Sequence, residues 1–275
     1  MAEPGERADR HCQVLIVGGG MAGASLALAL SCHAPGLSVA VVESAPITPD
    51  VSPNEQYQPS YDARATALAY GSRLIYEDLG LWPAISEGAT GIQRIHVSER
   101  GRFGSTRMDA AEHGQEALGY VVDNAWLGLN LVSALGSADL QWLCPARVLS
   151  AHSSAQGADV RIDRDGATED WRCDLLVVAD GGRSGLRETL GFSVQRREYD
   201  QHALVATVTT SRPHQGVAYE RFTDAGPVAL LPHRNERDYA LVWTMPAAEV
   251  ERRMALDDNA FLKELQGLFG WRRGR

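Results

Sequence analysis

Gly18, Gly20 and Gly23 stand at GxGxxG spacing directly after the apolar run 13–17, and Asp180-Gly181 follows a second apolar run at 174–179. A glycine-rich turn between strand and helix suits the seating of a diphosphate. Gly18 permits the tight turn, Gly20 lets the backbone approach the phosphates, and Gly23 lets the helix lie close to the strand. The helix that follows then directs its free N–H groups and positive dipole end at the phosphate oxygens. Glu43 ends the next strand, 20 residues past Gly23, where a carboxylate accepts hydrogen bonds from the ribose hydroxyls of an adenine nucleotide. The same charge repels a 2′-phosphate, which makes NADP a poor occupant here. Glycines and carboxylate together specify an adenine dinucleotide without separating FAD from NAD.

Asp180-Gly181 sits at the carboxyl end of a buried strand, where open α/β sheets place their ligands. A carboxylate beside a diphosphate is repelled, so Asp180 would accept hydrogen bonds from hydroxyls or water, with Arg64, Arg183 and Arg187 balancing the charge. The alternative is a plain turn in which Ser184 caps the following helix, and the sequence leaves both open. His96, Tyr219 and His233 lie on or beside strands and are the candidates for a base or proton relay. Each is more often a packed or exposed residue than a catalytic one, so no catalytic residue is assigned. Cys12, Cys32, Cys144 and Cys173 lie far apart without a CxxC pair, which argues against a metal site and against a disulfide framework.

The elements that must position these residues follow from hydrophobic periodicity. A strand at 13–17, a helix at 21–32 and a strand at 37–42 make the βαβ unit of a parallel nucleotide-binding sheet. A proline-rich loop is expected at 44–61 and a helix at 64–79. Residues 92–98 and 118–122 read as strands, 100–115 as irregular, 125–135 as a helix and 140–144 as a strand. A meander over 148–151, 158–163 and 171–172 precedes the buried strand at 174–179. Strand-like runs at 203–210, 217–222, 228–231 and 239–244, joined by short turns, predict an antiparallel sheet, closed by a helix at 259–269. The fold class is therefore α/β, a Rossmann-like domain with an adjoining antiparallel β-sheet domain.

At 275 residues, with 44% hydrophobic and 22% charged residues, the chain can bury substantial cores. Its net charge of −9 leaves no electrostatic footprint for nucleic acid, and the basic run 271–275 reads as a solvated helix end. The polar start (Met1 to His11) lacks a signal core, and no run approaches the ~18 apolar residues of a membrane span. A cytoplasmic location is the expectation.

Val-Leu-Ile-Val-Gly-Gly-Gly-Met-Ala-Gly-Ala-Ser (14–25), Tyr-Asp-Ala-Arg-Ala-Thr-Ala-Leu (61–68) and Asp-Leu-Leu-Val-Val-Ala-Asp-Gly-Gly-Arg-Ser-Gly-Leu-Arg (174–187) resemble the flavoprotein aromatic hydroxylases, the p-hydroxybenzoate hydroxylase-like family. Segments 220–232, 241–243 and 269–271 are similar to the substrate-domain strands of members that hydroxylate 2-polyprenyl-6-methoxyphenols in ubiquinone biosynthesis. The resemblance spans nearly all of residues 12–273. It implies an FAD-binding domain from 12–91 and 116–195, and a substrate-binding domain from 92–115 and 196–275.

By this resemblance Gly18, Gly20, Gly23 and Glu43 hold the ADP half of FAD, and Arg64 lies near flavin and diphosphate. Asp180 and Gly181 contribute to FAD binding and to the passage of NAD(P)H, a transient co-substrate, while Arg187 supports that second anchor. Asp123 and Asn124 match a segment along the flavin. The implied reaction is hydroxylation of a polyprenyl phenol by a flavin hydroperoxide, which asks the protein to exclude water and position the ring rather than supply a metal or nucleophile. A ubiquinone-biosynthesis assembly as partner and at most peripheral membrane contact are further implications. The family's C-terminal third, which anchors the ribityl chain and aims a helix dipole at the flavin, has no counterpart before Arg275. The expectation is a truncated chain that binds FAD weakly or serves as a non-catalytic scaffold. A related reductase or halogenase is the other enzyme reading, and the latter would want an active-site lysine, of which Lys263 is the only example.

Overall fold

The computed structural model describes residues 10–47, 64–181 and 185–270. The chain begins with β1 (Arg10–Val17), α1 (Met21–His33) and β2 (Val39–Val42), followed by β3 (Ala65–Ala69), α2 (Tyr70–Asp78), α3 (Trp82–Ser86) and β4 (Ala89–Ile92). The hairpin β5 (Arg94–Glu99) and β6 (Ser105–Asp109) leads to β7 (Gly119–Asp123). Next come α4 (Asn124–Ser137), β8 (Gln141–Leu143), β9 (Arg147–Ser154), β10 (Gly157–Arg164), β11 (Ala167–Val178) and α5 (Leu186–Thr189). Strands β12 (His202–Thr209), β13 (Val217–Thr223), β14 (Gly226–His233) and β15 (Asp238–Met245) precede α6 (Ala247–Met254) and α7 (Asp258–Phe269).

Two compact units share this chain, residues 1–63 with 124–195 and residues 64–123 with 196–275. The first is built on a six-stranded sheet ordered β8-β2-β1-β11-β10-β9. Strands β8, β2, β1 and β11 run parallel, which explains why β2 and the second half of β1 are continuous apolar runs, covered on both faces. Leu15, Ile16, Ala40 and Val41 are fully buried. β11 is longer than the run at 174–179 suggests: it pairs antiparallel with β10 over its first half and parallel with β1 over its second, so part of the meander and the buried strand are one element. Helix α1 carries Gly23, Ala24, Ala27 and Leu28 on its buried side. These small residues let it pack close.

The second unit holds a six-stranded sheet ordered β12-β15-β14-β13-β5-β6 and a three-stranded sheet ordered β3-β7-β4. The larger sheet is antiparallel except at one junction, where β13 runs parallel to β5. Residues 64–91 and 116–123, which the resemblance grouped with the glycine-rich domain, cluster with this second unit. The sequence expectation of a helix over 64–79 is corrected in part: Ala65–Ala69 pairs with β7 as a strand, and the helix starts only at Tyr70. Alanine is a good helix former, but its propensity is a weak prior that a sheet partner overrides. Likewise 105–109, expected to be irregular, forms β6 against β5.

On one face of the larger sheet, β12, β14 and β15 are covered by α6 and α7. Tyr239, Leu241, Trp243 and Met245 alternate along β15 toward that face and pack with Val228, Leu230, Leu265 and Phe261. The Arg253 guanidinium lies 4.4 Å from the Trp243 ring centroid and pairs with Glu249 at 2.6 Å, tying α6 to the sheet. Because Leu241 is fully buried in this cluster, Leu241→Ala is expected to destabilise the second unit by ~3 kcal/mol. Urea denaturation followed by near-UV circular dichroism measures this, and a shift under ~1 kcal/mol would contradict the packing described.

Candidate functional site

The carboxyl ends of β2, β1 and β11 lie side by side, with β1 feeding α1 and its two neighbours on opposite sides. That is the switch point at which open α/β sheets bind their ligands. A cleft of about 500 Å³ opens there, lined by Gly18 and Gly20 from the turn, Glu43 after β2, Ala179 and Asp180 after β11, and Leu186 of α5.

The glycines are dictated by space. Gly18 takes φ +104°, and a Cβ there would stand 2.5 Å from the Ala179 carbonyl oxygen. A Cβ on Gly23 would stand 1.9 Å from the Gly18 carbonyl oxygen. Gly19, a position the motif leaves open, is constrained too: its Cβ would meet the Trp142 ring at 2.3 Å. Gly20 is the N-cap of α1 and provides no side-chain hydrogen bond, and the first turn carries no acidic residue. An uncapped helix start of this kind has backbone N–H groups and a dipole to offer an anion.

Glu43 is buried, at 6% exposure. Its Oε2 accepts the Gly19 N–H at 2.7 Å and its Oε1 accepts the Ala45 N–H at 2.6 Å. The carboxylate therefore braces the glycine turn from inside the cleft, and each oxygen keeps further acceptor capacity for a ligand hydroxyl. The donor set fits an adenine dinucleotide: backbone room and N–H groups for the diphosphate, a fixed carboxylate for the ribose.

Asp180 is half-buried and Gly181 exposed, with φ +76°. Both also line a second concavity of about 1050 Å³ on the same unit, together with Arg187, Leu175 and Phe192. Arg187 lies on α5, 3.6 Å from Glu188. The structure thus brings Gly18, Gly20, Gly23, Glu43 and Asp180 to one place and sets Gly181 and Arg187 at its margin. Arg64 belongs to the second unit, exposed just before β3. Arg183 and Ser184 lie outside the described residues, as do 48–63.

In the second unit His96 of β5 and Tyr219 of β13 stand opposite each other in register, their rings 5.5 Å apart. They line a concavity of about 790 Å³ with Arg94, Arg107 and Arg221. His233 is elsewhere. It is buried at the end of β14, and its Nε2 donates to Asp123 Oδ1 at 2.7 Å. The Arg234 guanidinium donates to Asp123 Oδ2. Arg234 takes a left-handed backbone conformation, φ +38°, in the turn before β15. That costs a non-glycine residue roughly 1 kcal/mol or more, and the turn so formed delivers its side chain to the carboxylate.

Sequence reading named Asp123 and His233 separately and missed their pairing. Residues 110 positions apart give no local signal. Burial alone would raise the Asp123 pKa, but hydrogen bonds from His233 and Arg234, with their charges, outweigh it and hold the carboxyl below its ordinary value. Its stabilisation is present above the ordinary carboxylate pKa of about 4 and is lost as pH falls through the lower folded value. Asp123→Asn is therefore expected to cost ~3 kcal/mol at neutral pH and to flatten the acid limb of the stability–pH curve. Thermal midpoints from neutral pH into the acid range test this, and an unchanged acid limb in the variant would refute it.

The family described as "FAD binding domain" matches residues 11–274. The ubiquinone hydroxylase UbiL of Rhodospirillum rubrum is 34% identical over 264 residues, covering 96% of this chain and 58% of that protein. The 3-demethoxyubiquinol 3-hydroxylase of Escherichia coli is 29% identical over 221 residues, covering 80% of this chain and 54% of its own length. Among solved structures, Pseudomonas aeruginosa PqsL in complex with 2-aminobenzoylacetate superposes with TM-score 0.73 at 22% identity, over 94% of this chain and 67% of that one. At that identity the likeness shows the fold. The chain spans somewhat more than half the length of the curated relatives it matches.

Proposed function

The chain belongs to the FAD binding domain family, which covers residues 11–274, and from that membership we propose that it seats FAD in the glycine-rich cleft as part of a monooxygenase acting on a polyprenylated phenol. The observation that carries the proposal is the convergence of three parallel strand ends on an uncapped helix start, with a buried carboxylate fixed beside it. The relatives named ubiquinone hydroxylases support the substrate class. Membership in a ubiquinone-biosynthesis assembly rests on the family resemblance alone.

When bound, FAD supplies the redox chemistry among NAD(P)H, dioxygen and the phenol. The chain's own residues bind and orient. Gly18 and Gly20 let the backbone reach the diphosphate, Gly23 brings the α1 N–H groups to it, and Glu43 accepts from the ribose. Asp180 and Gly181 form the second anchor with Arg187 beside them, and Arg64 keeps the flavin-side role that the resemblance gives it. The large sheet of the second unit is assigned the substrate. Its Tyr219–His96 pair and its buried His233–Asp123 pair are its candidates for holding a proton.

No helix among the described residues is long and apolar enough to cross a membrane. Titrating the purified chain with FAD, with flavin fluorescence as readout, is expected to show binding that Glu43→Gln weakens roughly tenfold, the loss of one charged hydrogen-bond acceptor. Equal affinities in the two proteins would remove Glu43 from the site. FAD uptake without phenol-dependent NAD(P)H oxidation would favour the scaffold or weak-binder reading over the hydroxylase.

A further inference from the structure

The turn between β5 and β6 presents Phe103 wholly to solvent, at 109% relative exposure. Gly101 and Gly104, with φ of +77° and +104°, flank it and set it on a narrow tip. At the root of the turn the Phe222 carbonyl of β13 accepts the Arg100 N–H at 2.9 Å, and the Phe222 side chain is 48% exposed. Met108, also exposed, follows on β6. Single exposed apolar side chains are ordinary. Here, however, a whole aromatic ring stands at the tip of the hairpin that borders the sheet, β6 being the terminal strand, while Met108 lies farther back opposite Ile95.

The charge around them is equally local. Residues 99–107 carry Arg100, Arg102 and Arg107 against a single carboxylate, Glu99, which Arg102 pairs at 2.8 Å, whereas Arg94 stands opposite Asp109 at the far end of the hairpin. The whole chain carries −9, so this positive edge runs against its own background. Asp109 and Glu112 lie at the other end of β6, and the Asp109 carboxylate is occupied with the Ala111 N–H at 3.0 Å.

We propose that the β5–β6 hairpin is a membrane-docking element, with Phe103 entering the headgroup layer of an anionic bilayer and the arginines meeting its phosphates. An aromatic ring at a tip flanked by long cationic side chains matches the bilayer interface, where rings sit at headgroup depth while guanidinium groups reach the lipid anions. A protein partner would call for a broader apolar area than one ring ringed by arginines. The benefit of docking rests on the polyprenyl-phenol reading, since such a substrate dissolves in the bilayer. The binding itself does not.

The test uses the purified chain and vesicles without flavin or substrate, so its failure is separable from failure of the hydroxylase reading. Flotation is expected to show binding to vesicles of mixed phosphatidylglycerol and phosphatidylcholine, no binding to pure phosphatidylcholine, and loss of binding in high salt. Arg100→Ala with Arg107→Ala is expected to lower the partition coefficient roughly 30-fold, about fivefold per arginine, and Phe103→Ser roughly tenfold. Phe103→Trp, which keeps the aromatic tip, is expected to add a blue-shifted emission component over wild type when anionic vesicles are present. The proposal is overturned by absence of vesicle binding, by equal binding to neutral lipid, or by binding that survives both substitutions. Self-association in gel filtration that Phe103→Ser abolishes would assign the tip to a second copy of the chain instead.

Discussion

The first unit depends on how closely two strand ends can approach. Gly18 N–H donates to the Val42 carbonyl and Ala179 N–H to the Val17 carbonyl, each at 2.8 Å, so the β1 ladder runs to its last residue on both sides. At that point Gly18 lies so near Ala179 that no side chain fits between them. Everything beyond is arranged around this pinch. The chain can leave only through a positive φ, α1 can start only if Gly23 accepts the Gly18 carbonyl at its Cα, and the turn is then braced by the Glu43 carboxylate on the Gly19 N–H. A larger residue at Gly18 would open the sheet and displace the helix start together.

The parts of this arrangement that were legible in the sequence are those fixed by short-range sterics. Strand, glycine turn, helix and strand within 13–42 follow from periodicity and spacing alone, and so do the strands of the larger sheet other than β6. What was hidden depended on partners distant in the chain. Ala65–Ala69 is a strand only because β7 lies beside it, and its composition by itself favours a helix. Gly19 is a free position in GxGxxG until the Trp142 ring of β8 is set against it. The Asp123–His233–Arg234 cluster joins a strand end to a turn 110 residues away, and nothing local in the sequence couples the two halves.

The larger sheet shows how one face can serve two purposes. Along β15 and β14 its residues are Tyr239, Leu241, Trp243, Val228 and Leu230, dry beneath α6 and α7. Following the same face across the register to β13, β5 and β6, the residues become Tyr219, His96 and Arg107, then Arg221, Ser98 and Ser105. Helix α7 reaches the border of that half, where the Phe269 ring lies 6.5 Å from that of Tyr219, while Phe261, Leu265 and Leu268 are packed over the first half. The polar side chains of the second half line an open concavity instead. β6 is also an edge strand of this sheet, and Arg107 on it disfavours pairing with another sheet.

The two units thus place their polar groups by different physical means. In the first, the groups offered to a ligand are mostly backbone N–H groups, brought into position by the absence of side chains, with one carboxylate to hold the turn. Such a site tolerates few substitutions, and the residues it requires are glycines at fixed spacing, which is why a pattern finds it. In the second, position is set by side chains holding one another: His233 and Arg234 keep Asp123 ionised, and its burial is tolerable only because both partners are present. Removing one member leaves a buried charge without its balance, so the cluster must change as a set or not at all. A site built from backbone is written in local spacing, whereas one built from mutual charge is written only in the folded structure.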